Sequence, residues 1–206
     1  VKDKHIYISR NRTLLLYADL LRRLGDSKEG LNYKFQALDL AESKLLARDI
    51  AYVYQDIGLY YHLWVKDYEN AIKYYKDAIN IFETDLILKK EYLYLITLDG
   101  IASSYWFLDQ ADLGYPYSKK AADISLKRLY GQIDVRQLLS TNEELNKTRE
   151  RIKTHIDNIY RISFSEEISQ EKRSFLIEES IYYGQLLPQL KTAQALSYLQ
   201  PNNEIQ

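Results

Sequence analysis

The sequence predicts an all-α protein built from antiparallel helix hairpins. Its 206 residues include only 3 Pro and 7 Gly, which are too few turn-forming residues for a β-sandwich or a β-barrel. Apolar residues recur at helical spacing along most of the chain, and short polar breaks separate the periodic segments. Because 46% of the residues are apolar, as in an ordinary globular domain, we expect a folded protein with a core.

Six helices are predicted in the first two thirds of the chain, each with apolar residues at positions i, i+3, i+4 and i+7. Gly25-Asp26-Ser27 separates the first helix from the second, and Asp49 is predicted to cap the third. Pro116 stands in the first turns of the sixth helix, where a proline is tolerated. The predicted helices cover 14–24, 28–46, 50 to the break at Lys66-Asp67, 68 to the break at Thr84-Asp85, 88–108 and 111–129.

The last third of the chain is predicted to form an irregular helix hairpin followed by a capping helix. Two capping-box patterns, Thr141-x-x-Glu144 and Ser163-x-x-Glu166, precede the two helices of the hairpin. The second of these helices is expected to stop near Gly184. Pro188 is then predicted to separate it from a last short helix, 189–199.

Three segments of the sequence repeat one pattern. Each has a small residue in a first helix, a large residue three positions later (Leu21, Tyr61 or Tyr105), a polar turn, and two small residues seven positions apart in a second helix. Gly58, Tyr61 and the turn Asp67-Tyr68 give the clearest instance. Small residues at these positions allow two helices to approach closely, and tyrosines fill the space beside them. The seven-residue pairs are Gly30 and Ala37, Ala71 and Ala78, and Gly114 and Ala121.

The pattern resembles the tetratricopeptide repeat over residues 11–130. The resemblance implies a right-handed α-solenoid, with three hairpins in 1–130 and the irregular hairpin plus capping helix in 131–206 of the same domain. Ala37 and Ala78 are 41 residues apart, against about 34 in the family, and one extra residue lies between Tyr61 and Ala71. These departures make the chain similar to the divergent repeats of bacterial regulatory proteins. A generic antiparallel helical bundle stays open as the alternative.

The resemblance also implies a binding groove, because the first helix of each repeat in this family lines a concave surface that takes a peptide. Tyr52 and Trp106 are the candidate anchors, although Trp106 fits burial between hairpins equally well. The cationic cluster by which some family members hold a C-terminal carboxylate is absent. The partner-binding residues implied are Arg12, Asp19, Arg22, Tyr52, Gln55, His62, Asp99, Ser103 and Trp106.

No catalytic motif, metal site or cofactor is predicted. The three histidines, His5, His62 and His155, lie far apart in the sequence, and the chain has no Cys, so no zinc-ligand spacing is present. Glu143-Glu144 and Glu166-Glu167 stand at predicted helix starts, where carboxylates suit the helix dipole. The net charge of −1 gives no drive toward nucleic acid. No stretch approaches the ~18 apolar residues of a membrane span.

The leading hypothesis is therefore a scaffold that binds a protein or a peptide. The alternative is a sensor or regulatory portion of a larger bacterial signalling or transcription-regulating protein, favoured because the chain starts at Val1 without an initiator Met. A self-associating module, favoured by the 20 Tyr, and a helical enzyme rank below these. The compartment is unknown. The cytoplasm is slightly favoured because no leader pattern precedes the helices, and an extracytoplasmic sensor fragment stays open.

Overall fold

The structure, a computed structural model, describes residues 2–84, 88, 92–131, 142–165 and 168–199. These residues are almost entirely helical and contain no strand, which confirms the predicted all-α class. The chain divides into two compact units, Val1–Leu108 and Asp109–Gln206.

The first unit is a series of helices in which each described helix packs on the next. Connections of two or three residues join α1 to α2, α2 to α3, and the π-helical end of α3 to α4, so successive helices run antiparallel. A π-helical turn, Tyr61–Val65, extends α3. The helices are α1 (Lys2–Arg23), α2 (Ser27–Lys44), α3 (Ala47–Tyr60), α4 (Tyr68–Thr84) and α5 (Tyr92–Phe107).

The second unit contains α6 (Ala111–Gly131), α7 (Asn142–Ser163) and α8 (Gln170–Leu199). In this unit α7 packs on both α6 and α8. The apolar core of the unit includes Ala122, Leu126, Leu129, Leu145, Ile152, Tyr183 and Leu190.

Two predicted helix starts in the first unit are wrong. The first helix begins at Lys2 rather than at residue 14, and its extra turns are anchored because the side-chain amide of Asn11 donates a 2.5 Å hydrogen bond to the carbonyl of Ala37. The third helix begins at Ala47, so Asp49 lies in its first turn, and the N-cap position is held by Leu46, which makes no side-chain capping bond.

The predicted breaks in the C-terminal helix are also wrong. Gly184 and Pro188 both lie inside the single helix α8. Tyr183 and Leu190 are buried on either side of them in one core, so tertiary packing carries the helix past both residues despite their low helix propensity. Ser163 is the last residue of α7, and the N-cap of α8 is Ser169, whose hydroxyl accepts from the Lys172 amide. Thr141, Glu166 and Glu167 lie outside the described residues.

The extra residue that precedes Ala71 is accommodated at the end of α3. A π-helical turn holds one more residue than an α-helical turn. The turn Tyr61–Val65 is closed by Lys66, whose φ of 59° is left-handed. The helix α4 then begins two residues later. The insertion is therefore taken up before the second helix of the hairpin starts.

The side chain of Tyr75 is enclosed by two glycines from neighbouring helices. Tyr75 belongs to α4 and is buried. A Cβ atom added to Gly58 in α3 would lie 2.6 Å from the ring, and one added to Gly100 in α5 would lie 2.5 Å from it. Three helices can pack around one aromatic ring here because neither neighbour carries a side chain.

Gly58→Ala is expected to lower the free energy of unfolding by about 1–3 kcal/mol, because the added methyl group overlaps a ring that has no free space. The measurement is urea unfolding followed by circular dichroism. Gly184→Ala is the matched control, since a Cβ there meets nothing within 4 Å and alanine is the better helix former. If both variants were as stable as the unmodified protein, the enclosure of Tyr75 would not limit the packing.

Candidate functional site

A cleft of about 520 Å³ opens in the first unit between α1 and α3, with one residue from the start of α5. Both helices are the first members of their hairpins, as the predicted groove requires. The cleft combines apolar and charged side chains with one aromatic ring. Its lining residues are Ile8, Asn11, Arg12, Leu15, Leu16, Asp19, Leu45, Arg48, Asp49, Tyr52, Asp56 and Leu93.

A buried lysine from α2 holds the two helices of the cleft together. The Nζ atom of Lys34 lies 2.6 Å from Asp56 Oδ2 and 3.1 Å from Asp19 Oδ1, and its side chain is 1% exposed. The ring of Tyr60 lies 5.1 Å from the same ammonium. Because Asp19 belongs to α1 and Asp56 to α3, this one cation sets the spacing of two cleft-lining carboxylates.

Burial raises the pKa of Asp56 above its ordinary value, against the opposing attraction of Lys34. Asp19 is the more accessible partner and is about half-exposed. The carboxylate that a ligand can reach is therefore Asp19, whereas Asp56 serves mainly to hold Lys34.

Tyr52 offers an aromatic surface to the cleft. Its side chain is 42% exposed, and it lies on α3 one turn before Asp56. Burial of the rest of the residue, followed by the charge of Asp56, raises the pKa of its hydroxyl. The phenol therefore stays protonated at neutral pH and can donate a hydrogen bond to a ligand.

Three of the nine predicted partner-binding residues, Arg12, Asp19 and Tyr52, line this cleft. Arg22 does not, because its guanidinium stacks on the ring of Trp64, 3.8 Å from the centroid. Gln55 is 4% exposed and presents almost no surface to a partner. These two residues stay outside the cleft although they belong to its two helices.

His62 and Trp106 do not line the cleft but belong to a second aromatic group, which consists of His62, Tyr68, Trp106 and Phe107. The Nδ1 atom of His62 lies 2.8 Å from Ser104 Oγ, and burial lowers the pKa of its imidazole. Its ring packs edge-on against Tyr68 and Phe107, and Trp106 packs edge-on against Phe107 as well. These rings contact one another, and Phe107 among them is 52% exposed.

The remaining predicted residues, Asp99 and Ser103, lie on α5 and are partly buried. The Ser103 hydroxyl donates to the carbonyl of Gly100. Neither residue lines the cleft between α1 and α3. The nine predicted residues therefore divide between the cleft, the second aromatic group and other positions, and their role in binding stays a prediction.

Lys34, which holds the helices of the cleft together, and Asp56, which lines the cleft, are among the residues that the sequence reasoning missed. A signal for Lys34 was present, because it stands on the apolar face of α2, four residues after Gly30 and three before Ala37. A lysine on a buried face requires a carboxylate partner. The sequence alone did not identify that partner, because Asp19 and Asp56 come from different helices.

The second unit contains a buried polar network that resembles a catalytic triad in its order of groups. Ser118 Oγ lies 2.9 Å from His155 Nδ1, and His155 Nε2 lies 3.8 Å from Glu179 Oε1. However, all three residues are buried, and the hydroxyl of Ser118 also donates to the carbonyl of Tyr115. A hydroxyl used in this way is not free to attack a substrate.

Glu179 is the charged centre of this network. Its two carboxylate oxygens accept hydrogen bonds from the Tyr115 hydroxyl and the Lys119 ammonium. Burial, followed by the charge of Lys119, lowers the pKa of His155 to about 3. The imidazole is therefore neutral at pH 7, and the network links α6, α7 and α8.

Within the described residues, no group of three or more histidines and carboxylates is placed to hold a metal ion. Among the helices of the same residues, none has both the length and the apolar character that a membrane crossing requires.

Comparison with known proteins agrees with this helical-repeat architecture. Residues 9–84 match the family model of the tetratricopeptide repeat. This stretch, which includes α2, α3, α4 and most of the cleft, is therefore similar to the repeats of that family. No curated protein matches the sequence.

Two solved structures are similar to the whole chain or most of it. The crystal structure of BtubC (BKLC) from P. vanneervenii has a TM-score of 0.51 and 14% sequence identity, over 100% of this chain and 94% of that one. The crystal structure of YrrB, described as a TPR protein with an unusual peptide-binding site, has a TM-score of 0.35 and 20% identity, over 82% of this chain and 84% of that one. The first of these likenesses supports the all-α fold.

Lys34→Met is expected to lower the free energy of unfolding by about 3 kcal/mol at pH 7.5, because it leaves Asp56 buried without its cation. The loss should shrink at pH 5. Without Lys34 the folded pKa of Asp56 rises further above its unfolded value, so protonation at low pH relieves the buried charge. Lys28→Met, an exposed change on the same helix, is the control and should stay within about 0.5 kcal/mol. An equal loss at both pH values would contradict this interpretation.

The network around His155 predicts a loss of stability in acid. The folded pKa of about 3 lies below the ordinary value of 6.5, so the unfolded chain takes up a proton between these values while the folded chain does not. The free energy of unfolding should then fall by up to about 1.4 kcal/mol per pH unit in this window. His155→Asn should remove that part of the slope in urea unfolding, and His5→Asn at an exposed position should not. Parallel pH profiles for all three proteins would show that His155 is not the titrating group.

Proposed function

We propose that the first unit is a peptide-binding scaffold whose site is the cleft between α1 and α3. The observation that carries this proposal is an open cleft of about 520 Å³ that presents a half-exposed tyrosine, apolar side chains and charged side chains together. Ligand sites typically combine an apolar lining with a small number of placed polar groups. The match of residues 9–84 to a repeat class of protein-interaction module supports the same conclusion.

The cleft is formed before any ligand arrives. Lys34 connects α1 to α3 through two carboxylates, and the glycines around Tyr75 hold α3 close to α4 and α5. A site that is already ordered loses less conformational entropy on binding. Tyr52 is the proposed anchor, with Arg12 and Asp19 as its charged neighbours.

We assign no catalytic role to the chain. The network of Ser118, His155 and Glu179 is buried, and its hydrogen bonds favour a structural role in the second unit. The sensor or regulatory portion of a larger protein and a self-associating module both stay predictions of the sequence.

Tyr52→Ala is expected to weaken peptide binding at least tenfold, because it removes the aromatic surface of the cleft. The probes are dodecapeptides selected from a random display library on the full chain, and their dissociation constants are measured by fluorescence anisotropy. Tyr160→Ala is the matched control, since Tyr160 is an exposed tyrosine of the second unit. Circular dichroism should show the same helix content for both variants.

Two results would contradict the proposal. Either the library yields no peptide that binds the chain, or the selected peptides bind the Tyr52→Ala variant as tightly as the unmodified protein.

A further inference from the structure

The charges of the cleft are separated along its length. Asp19 and Asp56 lie at one end, because both contact the ammonium of Lys34. Arg12 precedes Asp19 by seven residues and Arg48 precedes Asp56 by eight, which is about 10–12 Å along a helix at ~1.5 Å per residue. The helices α1 and α3 run parallel, since one antiparallel helix separates them. The two arginines therefore lie at the opposite end.

The two ends of the cleft differ in their charged side chains. At the first end, two carboxylates face the single ammonium of Lys34, which leaves one negative charge. At the other end, the charged lining residues are the two arginines Arg12 and Arg48 and one carboxylate, Asp49.

Between the charged ends the cleft is apolar and aromatic. Tyr52 stands four residues after Arg48 and four before Asp56, so it lies on the same side of α3 between the two ends. Leu15 and Leu16 hold the corresponding place on α1. A ligand that fills the whole cleft meets a positive end, an apolar middle and a negative end in that order.

We propose that the cleft selects an extended peptide segment with an acidic and a basic side chain four residues apart and an apolar side chain midway. This inference rests on the peptide-binding function proposed above. In an extended chain, residues i, i+2 and i+4 face the same side, and four residues span about 13 Å at ~3.3 Å each. That length is close to the separation of the two ends of the cleft.

Each side chain of such a segment has a partner in the cleft. The acidic side chain pairs with Arg12, whose side chain is exposed. The basic side chain pairs with Asp19, which is half-exposed, rather than with the more buried Asp56. The apolar side chain packs on Tyr52. Two like charges on the segment would place one of them against a cleft end of its own sign.

The test uses a dodecapeptide from the display selection whose binding depends on Tyr52. The inference predicts that this peptide contains an acidic and a basic residue four positions apart. Replacing either residue by Gln should raise the dissociation constant by about threefold, the size expected for a partly exposed ion pair. Raising NaCl from 50 to 500 mM should reduce the difference, because salt screens the charges.

Variants of the protein assign each charge to its partner. Arg12→Gln should cancel the advantage of the acidic peptide residue and leave that of the basic one. Asp19→Asn should do the reverse. Arg10→Gln is the matched control, since Arg10 is exposed on α1 and does not line the cleft. Asp19→Asn could disturb the fold because Asp19 contacts Lys34. In that case the Arg12→Gln variant and the Gln-substituted peptides still test the charge selectivity.

The results separate this inference from the proposed function. Tyr52-dependent peptides that lack the opposite-charge pair, or that bind equally well after both Gln replacements, overturn the charge selectivity while peptide binding stands. The charge selectivity is also overturned if Arg12→Gln raises the dissociation constants of the charged peptide and of its Gln-substituted form by the same factor. If no library peptide depends on Tyr52, the proposed function itself fails.

Discussion

The first unit depends on how closely α3, α4 and α5 approach one another around the ring of Tyr75. Gly58 and Gly100 leave the ring in direct contact with two backbones, so the thickness of one aromatic ring sets the distance between the helices. Tyr52 lies on α3 and Leu93 lies on α5, and both line the cleft. The packing of these three helices therefore contributes to the shape of the site.

Charged side chains at buried positions have an organising role in both units. Lys34 connects three helices of the first unit through Asp19 and Asp56. Glu179 of α8 binds Tyr115 and Lys119 of α6 and lies 3.8 Å from His155 of α7. The cost of desolvating such groups offsets much of their attraction, so they add little to stability. Their effect is to favour one arrangement of the helices, because any other arrangement leaves a buried charge without a partner.

The sequence predicts the fold better than it predicts the site, and the reason is that periodicity describes one helix at a time. The small residues Gly58, Ala71 and Ala78 are all buried as the repeat pattern predicts. Gln55 is buried because α3 packs on α2, α4 and α5 and so covers more than one face. Tyr17 fits the apolar spacing of the first predicted helix but is 44% exposed, since α1 packs chiefly on α2. The number of helices that pack against a given helix depends on the tertiary structure, so a local sequence pattern does not predict it. Pro188 shows the same limit, because a shared core overrides its local preference.

The π-helical turn at Tyr61–Val65 gives the hairpin a place where its length can change without changing its interface. One residue added to an α-helix rotates everything after it by about 100°, which would turn the apolar side of the next helix toward solvent. Here the wide turn and the left-handed Lys66 absorb that rotation, and Ala71, Tyr75 and Ala78 remain buried. A residue can therefore be inserted or deleted at this turn without moving the buried residues of the next helix. A hairpin with such a joint can gain a residue there while Ala71, Tyr75 and Ala78 keep their buried contacts.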